Sequence, residues 1–137
     1  MINTRLAIGI HILSLVALSS DAETLNSEWI AGSIQTNPVV VRRMTSQLKK
    51  AGLLKAARGN RGLMLTGTPE DISFLQILRA VDPENTLFAV HQHANMNCVV
   101  GRHIESTLSS IYQDIQQTTE NDLAKRTLKQ VLDQLQR

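Results

Sequence analysis

Two consecutive residues, Asn37 and Pro38, fix a helix start inside the most basic part of this chain. An Asn side chain accepts an orphan backbone N–H at the N-cap, and Pro at the first helical position gives up no hydrogen bond. A helix is expected from Pro38 to about Ala51. Along it Val41, Met44, Leu48 and Ala51 recur at helical spacing and form the inward stripe, which turns Val39, Arg42, Arg43, Ser46 and Lys50 outward. No acidic residue lies between Glu28 and Glu70, whereas seven of the fourteen Lys and Arg fall between Arg42 and Arg61. The formal net charge of +2 therefore conceals a strongly basic segment, the electrostatic footprint of a site for a polyanion.

A short helix is expected at Ser27 to Ile34, ending in a tight turn at Gln35 and Thr36, so that two helices are joined by few residues, as in a helix-turn-helix. Beyond the second helix, Leu53 to Ala57 and Leu63 to Thr66 flank Arg58-Gly59-Asn60-Arg61-Gly62, whose glycines permit the positive φ values of a hairpin loop. Helix, turn, helix, basic hairpin is the order of a winged helix. A solvated basic helix beside an ordinary hairpin is the bland alternative. The order of elements and the lack of acids weigh against it. The candidate DNA contacts are Asn37, Pro38, Val39, Arg42, Arg43, Ser46 and Lys50 on the helix. Arg58, Asn60 and Arg61 join them from the wing, with Asn3 and Arg5 as backbone contacts at the start of the first helix. Aromatic residues are scarce, Trp29, Phe74, Phe88 and Tyr112, which disfavours stacking on single strands and leaves duplex DNA as the partner.

A length of 137 residues suits one core of ordinary size with an appended helical arm. The apolar run from Leu6 to Leu18 behind Arg5 imitates a signal peptide, but His11 and Ser14 interrupt it and it is too short to span a membrane. A buried first helix, about Asn3 to Leu18, is the expectation. Thr68-Pro69-Glu70-Asp71 is expected to open a further core helix carrying Ile72, Leu75, Ile77, Leu78 and Val81 and ending before Pro83. From Gly101 onward, Ile104, Leu108, Ile111 and Ile115 step by four, three and four residues and predict a long amphipathic helix. A final helix with Leu123, Leu128, Val131, Leu132 and Leu135 follows. The fold class is thus mainly α with a small β-hairpin wing: a winged helix-turn-helix at 1–83, a sensor or linker loop at 84–100 and a helical dimerisation region at 101–137.

His91, His93 and Cys98 share the linker, yet His-x-His followed by one Cys matches no established zinc spacing, and no metal site is expected. His11 reads as a core or interface histidine and His103 as a helix-surface one. A single cysteine excludes an internal disulfide framework and agrees with a cytoplasmic location. No phosphate loop, nucleophile motif or spaced carboxylate pair is present, so an enzyme is not expected.

Asn3-Thr4-Arg5-Leu6-Ala7, Thr36 to Met44, Lys49-Lys50-Ala51-Gly52-Leu53-Leu54, Ile77-Leu78-Arg79-Ala80-Val81 and Cys98-Val99-Val100-Gly101 resemble the Rrf-two family of bacterial winged-helix regulators. That family includes the iron–sulfur cluster regulator, the nitric-oxide-sensitive repressor and the cysteine-metabolism repressor. Within it the chain looks most like the cluster-free YwnA-like members. The similarity spans nearly the whole chain, and the order and spacing of the motifs carry it. The resemblance implies a dimer in which long helices after the cysteine region pair, recognition helices enter major grooves and wings lie near minor grooves. It also places Arg42 where cluster-binding members have a base-reading acidic residue, so their target sequences do not transfer. Cluster ligation in the family looks like three cysteines at six-residue steps. Here the positions matching Cys98 are Gln92 and Thr86, or Ile104, and no iron–sulfur cluster or other cofactor is expected.

The expected function is that of a cytoplasmic DNA-binding transcriptional regulator, a homodimeric repressor on a palindromic operator, with Ile104, Leu108, Ile111 and Ile115 forming the dimer face. Cys98, near a helix start, is a candidate redox-sensing thiol, with an oxidant or a small molecule as effector. The competing reading is a protein-interaction or ligand-binding adaptor that keeps the fold without specific DNA binding.

Overall fold

The computed structural model describes residues 3–137, apart from the side chains of Glu23 and Asn60. It is mainly helical. Helix α1 spans Arg5–Leu18, α2 Ser27–Ile34 and α3 Pro38–Lys50; strands β1 (Leu54–Ala56) and β2 (Leu63–Leu65) follow, then α4 (Phe74–Val81), α5 (Val99–Lys125) and α6 (Leu128–Leu135). The strands form one antiparallel hairpin with Leu54 opposite Leu65, Lys55 opposite Met64 and Ala56 opposite Leu63. Leu54 and Leu63 are buried while Lys55 and Met64 face solvent, so the hairpin seals one end of the core with alternate residues.

The core gathers Ile12, Leu13 and Val16 of α1, Ile30 of α2, Val41, Met44 and Leu48 of α3, Ile77 and Val81 of α4, and Leu128 and Leu132 of α6. Helix α1 is the central element, apolar enough to be covered by α4, α6 and β2 at once. Among the described residues no helix is long and apolar enough to cross a membrane.

Four local expectations need correction. Ala51 is exposed as the residue that ends α3, so the inward stripe stops at Leu48. The helix expected to open at Thr68 is only a 3-10 turn, Pro69–Asp71, in which Thr68 Oγ1 donates to the Asp71 carboxylate at 2.9 Å. Helix α4 starts later, at a capping box in which Ser73 Oγ accepts from Gln76 N and Gln76 Oε1 accepts from Ser73 N. Helix α5 begins at Val99 rather than Gly101 and keeps Leu123, because the break comes at Arg126 and a second capping box, Thr127 with Gln130, opens α6.

Those two capping boxes lie side by side. Phe74 N donates to Arg126 O and Leu128 N donates to Ile72 O, each at 2.9 Å, forming a short antiparallel bridge between the entrances of α4 and α6. The bridge folds α6 back onto α1, so the last helix joins the core built by α1 to α4, although the sequence grouped it with the helical region expected to dimerise. Leu128→Ala should therefore destabilise the whole fold by about 2–5 kcal/mol. Urea unfolding followed by circular dichroism measures this, and a loss under about 1 kcal/mol would make α6 a dispensable appendage.

Candidate nucleic-acid interface

Asn26 caps α2 by accepting from Trp29 N at 2.8 Å, and Gln35 ends it in the left-handed conformation at φ 66°. Asn37 then caps α3 by accepting from Val39 N at 2.7 Å, with Pro38 in the first turn. Two helices joined by so short a turn have their relative direction fixed by backbone geometry, and burial of Val41, Met44 and Leu48 fixes the rotation of α3. Its free face carries Asn37, Val39, Arg42, Arg43, Ser46 and Lys50, all exposed, with Pro38 half-buried at its edge. The structure thus brings the helix candidates together on one surface.

That surface also holds groups the sequence reading passed over. Lys49 is exposed beside Ser46, and both line a groove of about 530 Å³ that runs to the α2 start at Asn26 and Ser27 and to Gly62 at the foot of the wing. Glu28 on α2 lies 3.7 Å from Arg42, both side chains being mostly in solvent. Its place in the first turn after the Asn26 cap was readable; its partner was not.

In the wing, Arg58 and Arg61 are exposed, as is Lys55 on β1, while the side chain of Asn60 lies outside the described residues. Gly62, at φ 75°, sits so close to the turn Ala22–Thr24 that a Cβ would fall 1.6 Å from Ala22 O. Only glycine fits there, and this contact seats the wing against the body. Asn3 and Arg5 stand elsewhere: Asn3 Nδ2 donates to Asp82, and Arg5 Nη1 pairs with the same carboxylate at 3.4 Å. The two residues proposed from sequence as backbone contacts thus tie the start of α1 to the end of α4.

Helix α5 has no buried residue. Ile104 and Leu108 are half-buried, Ile111 and Ile115 are exposed, and Val99 and Val100 at its start are about two-thirds exposed. Cys98 occupies the N-cap position, exposed, and the N–H groups of Gly101 and then Val100 hold its thiol below the ordinary value. Gly101 admits the preceding loop, since a Cβ there would meet Asn95 O at 2.2 Å. His91 and His93 are exposed, His11 Nε2 lies 3.0 Å from Ser33 Oγ, and His103 is exposed on α5. Among the described residues no three His, Cys, Asp or Glu side chains gather as metal ligands.

A family model described as iron-dependent transcriptional regulator, Rrf2, matches residues 2–134. YwnA of Bacillus subtilis (strain 168), assigned as an HTH-type transcriptional regulator, is 47% identical over 135 residues, covering 98% of this chain and 99% of that one. A crystal structure described as that of a DNA-binding protein is 44% identical with a TM-score of 0.74, covering 93% and 98% of the two chains. The fold is also that of CymR, the global cysteine regulator of B. subtilis, at 19% identity and a TM-score of 0.65 over 97% and 96% of the chains. T. potens IscR shares it at 20% identity and 0.70 over 98% and 88%. The family description mentions iron; in this chain the one thiol is Cys98, and Thr86, Gln92 and Ile104 supply a hydroxyl, an amide and a hydrocarbon at six-residue steps from it, a set that does not fit a cluster held by three thiolates. The chain belongs to the Rrf2 (Rrf-two) family of winged-helix DNA-binding transcriptional regulators, which are not enzymes.

Proposed function

We propose that this regulator binds a palindromic duplex operator in the cytoplasm as a homodimeric repressor. The observation that carries the reading is the basic free face of α3, where Arg42, Arg43, Lys49 and Lys50 are exposed, followed directly by a hairpin that exposes Lys55, Arg58 and Arg61. Arg42 and Arg43 act in the major groove with Val39 and Ser46 against base edges, Asn37, Pro38 and Lys50 set the helix on the backbone, and Arg58, Asn60 and Arg61 act from the wing. Asn3 and Arg5 add backbone contacts once Asp82 releases them. Arginine pairs with guanine through two hydrogen bonds. The exposed Glu28 competes weakly for Arg42, since solvent-exposed ion pairs contribute about 0–1 kcal/mol. A dimer seated on duplex excludes other proteins from it, so repression needs no further surface. Residues 1–83 together with α6 make the DNA-binding unit, 84–98 the linker and α5 the dimerisation arm.

Affinity for duplex DNA should fall steeply as salt rises, because each phosphate contact releases counterions. Arg42→Ala should cost about 1–3 kcal/mol and relax discrimination at one base pair, whereas changes at Arg58 or Arg61 should weaken all sequences alike and flatten the salt slope. Fluorescence anisotropy on recovered operators measures both effects. Salt-independent binding, or an Arg42→Ala variant equal to the parent on every sequence, would favour the adaptor reading instead.

The dimer face is the apolar stripe of α5. A 27-residue helix with no buried residue, on which Ile111 and Ile115 are exposed and Ile104 and Leu108 half-buried, leaves an apolar stripe in water that pairing would cover. Pairing through it should set the two α3 helices about 34 Å apart, one turn of DNA. Charged residues at Leu108 and Ile111 should give folded monomers in sedimentation; a variant that stays dimeric would move the interface.

Cys98 modulates binding through its thiolate, which attacks one oxygen of hydrogen peroxide, breaking the O–O bond to give sulfenic acid and hydroxide that takes a proton from solvent; the sulfenic acid then condenses with a small thiol to a mixed disulfide and water. Its place where linker and dimer arm meet supports the role. Mild peroxide should lower operator affinity of the parent and leave Cys98→Ser unchanged. Equal affinity in all four samples would remove the thiol and leave a ligand as effector.

A further inference from the structure

Between the linker and α5 runs a cleft of about 450 Å³. From the helix come Glu105, Ser109, Tyr112, Gln116 and Glu120, which step by four, three, four and four residues and so share one face. Each stands one position after a member of the apolar stripe Ile104, Leu108, Ile111 and Ile115, or a turn beyond it, which sets the two faces about 100° apart round the helix. The cleft and the proposed dimer face are therefore on different sides of α5. From the linker Phe88, 52% exposed, meets Tyr112 with ring centroids 5.5 Å apart and makes the aromatic wall. Part of the lining is already engaged. Gln116 Oε1 accepts from Leu87 N, and Gln116 Nε2 donates to Glu120, which also pairs with Arg79. Glu105, Ser109 and the Tyr112 hydroxyl are different: among the described residues no hydrogen bond or ion pair reaches these side-chain groups. Arg102, one turn before Glu105, donates instead to Met96 O at 3.1 Å, and no Lys, Arg or His lines the cleft.

We propose that this cleft binds a small organic cation, an arylalkylamine being the simplest of the class. A cleft of this volume, with an aromatic wall and a few unengaged polar groups, has the properties of a small-ligand site. Each group has a use for an ammonium ion. The Glu105 carboxylate supplies the counter-charge, the hydroxyls of Ser109 and Tyr112 accept its N–H donors, and the half-open ring of Phe88 attracts a cation to its face. Anions are disfavoured, because Glu105 and Glu120 both line the cleft with no cation beside them in the lining. A second copy of the chain is the poorer occupant, since Ser109, Tyr112, Gln116 and Glu120 are already half-covered by the chain itself. Asn85 lines the cleft as well and donates to Asp82 at 3.3 Å, the carboxylate that holds Asn3 and Arg5. An occupant that displaces Asn85 would loosen the start of α1. That regulatory consequence rests on the DNA-binding reading above; the site itself does not.

The full chain, grown on isotope-labelled tyrosine, should be titrated by NMR with phenethylammonium and, separately, with phenethyl alcohol, the same skeleton without the charge. Tyr112 is the chain's one tyrosine, so its ring signals report the cleft. Saturable shifts with the ammonium ion are expected, with the alcohol weaker by about fivefold or more. Glu105→Gln should weaken the ammonium ion by about fivefold or more and Phe88→Leu by about threefold. Asp114→Asn, which removes an exposed carboxylate of α5 outside the cleft, should leave its binding unchanged. Circular dichroism checks that each variant folds, and one folded cleft variant suffices for the comparison. No saturable shift, equal binding of the alcohol, or parent-like binding by the cleft variants overturns the site. A loss in Asp114→Asn equal to that in Glu105→Gln also overturns it, by showing general charge attraction. Duplex affinity is then compared with and without saturating phenethylammonium at constant ionic strength. A change of about fivefold or more supports the link through Asn85, and no change overturns that link. A parent that binds the ammonium ion but no duplex at all fails the functional reading rather than the site.

Discussion

Burial of Val41, Met44 and Leu48 decides where every basic side chain of the second half of the helix-turn-helix points. All three are nearly or wholly buried, and each contributes on the order of 1.5–3 kcal/mol of transfer free energy that a rotated helix would forfeit. Arg42, Arg43, Ser46 and Lys50 have no comparable claim on a direction, since exposed ion pairs contribute about 0–1 kcal/mol. The apolar stripe therefore sets the geometry of the polar face. The Asn37 cap fixes where the helix begins, and the Gly62 contact with Ala22 fixes where the wing stands relative to it. A basic surface follows from a core-facing one.

The same reasoning separates strongly fixed parts from weakly fixed ones. Helix α6 is held by Leu128 and Leu132 in the core and by backbone hydrogen bonds to the α4 entrance. The linker and α5 are held by lighter ties: Leu87 N donates to Gln116 Oε1, Arg79 pairs with Glu120, and Phe88 stacks at 5.5 Å on Tyr112. Apart from these contacts α5 keeps an apolar face in water, which is the condition that association with another surface relieves.

Sequence reading reached the elements whose signals are local. The Asn37-Pro38 start, the helix Ser27–Ile34 and the glycine-bounded hairpin are set by residues within a few positions of one another, and they stand where the periodicity put them. At Thr68-Pro69 a strong local signal misled, because Pro69 and the acids that follow suit a first turn but Ile72 is drawn into the core in extended form. The weaker signal that prevailed, Ser73-x-x-Gln76, was present in the sequence, as was Thr127-x-x-Gln130 at the start of α6. Contacts between distant residues were not legible. Asp82 with Asn3 and Arg5, Glu28 with Arg42, and the return of Leu128 to the core depend on how helices pack, which no spacing rule encodes.

Helix α5 is about 40 Å long, from its 27 residues and the rise of an α-helix, and it is attached at both ends to the half that carries the basic face. At its start the chain passes through the 84–98 linker, where Asp82 accepts from Asn85 and also holds Arg5. At its end it turns directly into α6 and the core. An arm anchored this way cannot swing without bending one of two short segments: the extended residues Arg126 and Thr127, or the loop that Gly101 admits beside Cys98. The first is fixed by paired backbone hydrogen bonds and a buried leucine; the second lies in solvent with a single thiol at its tip. The second segment is thus the less restrained of the two, and a change in the angle between α5 and the basic face meets less resistance there.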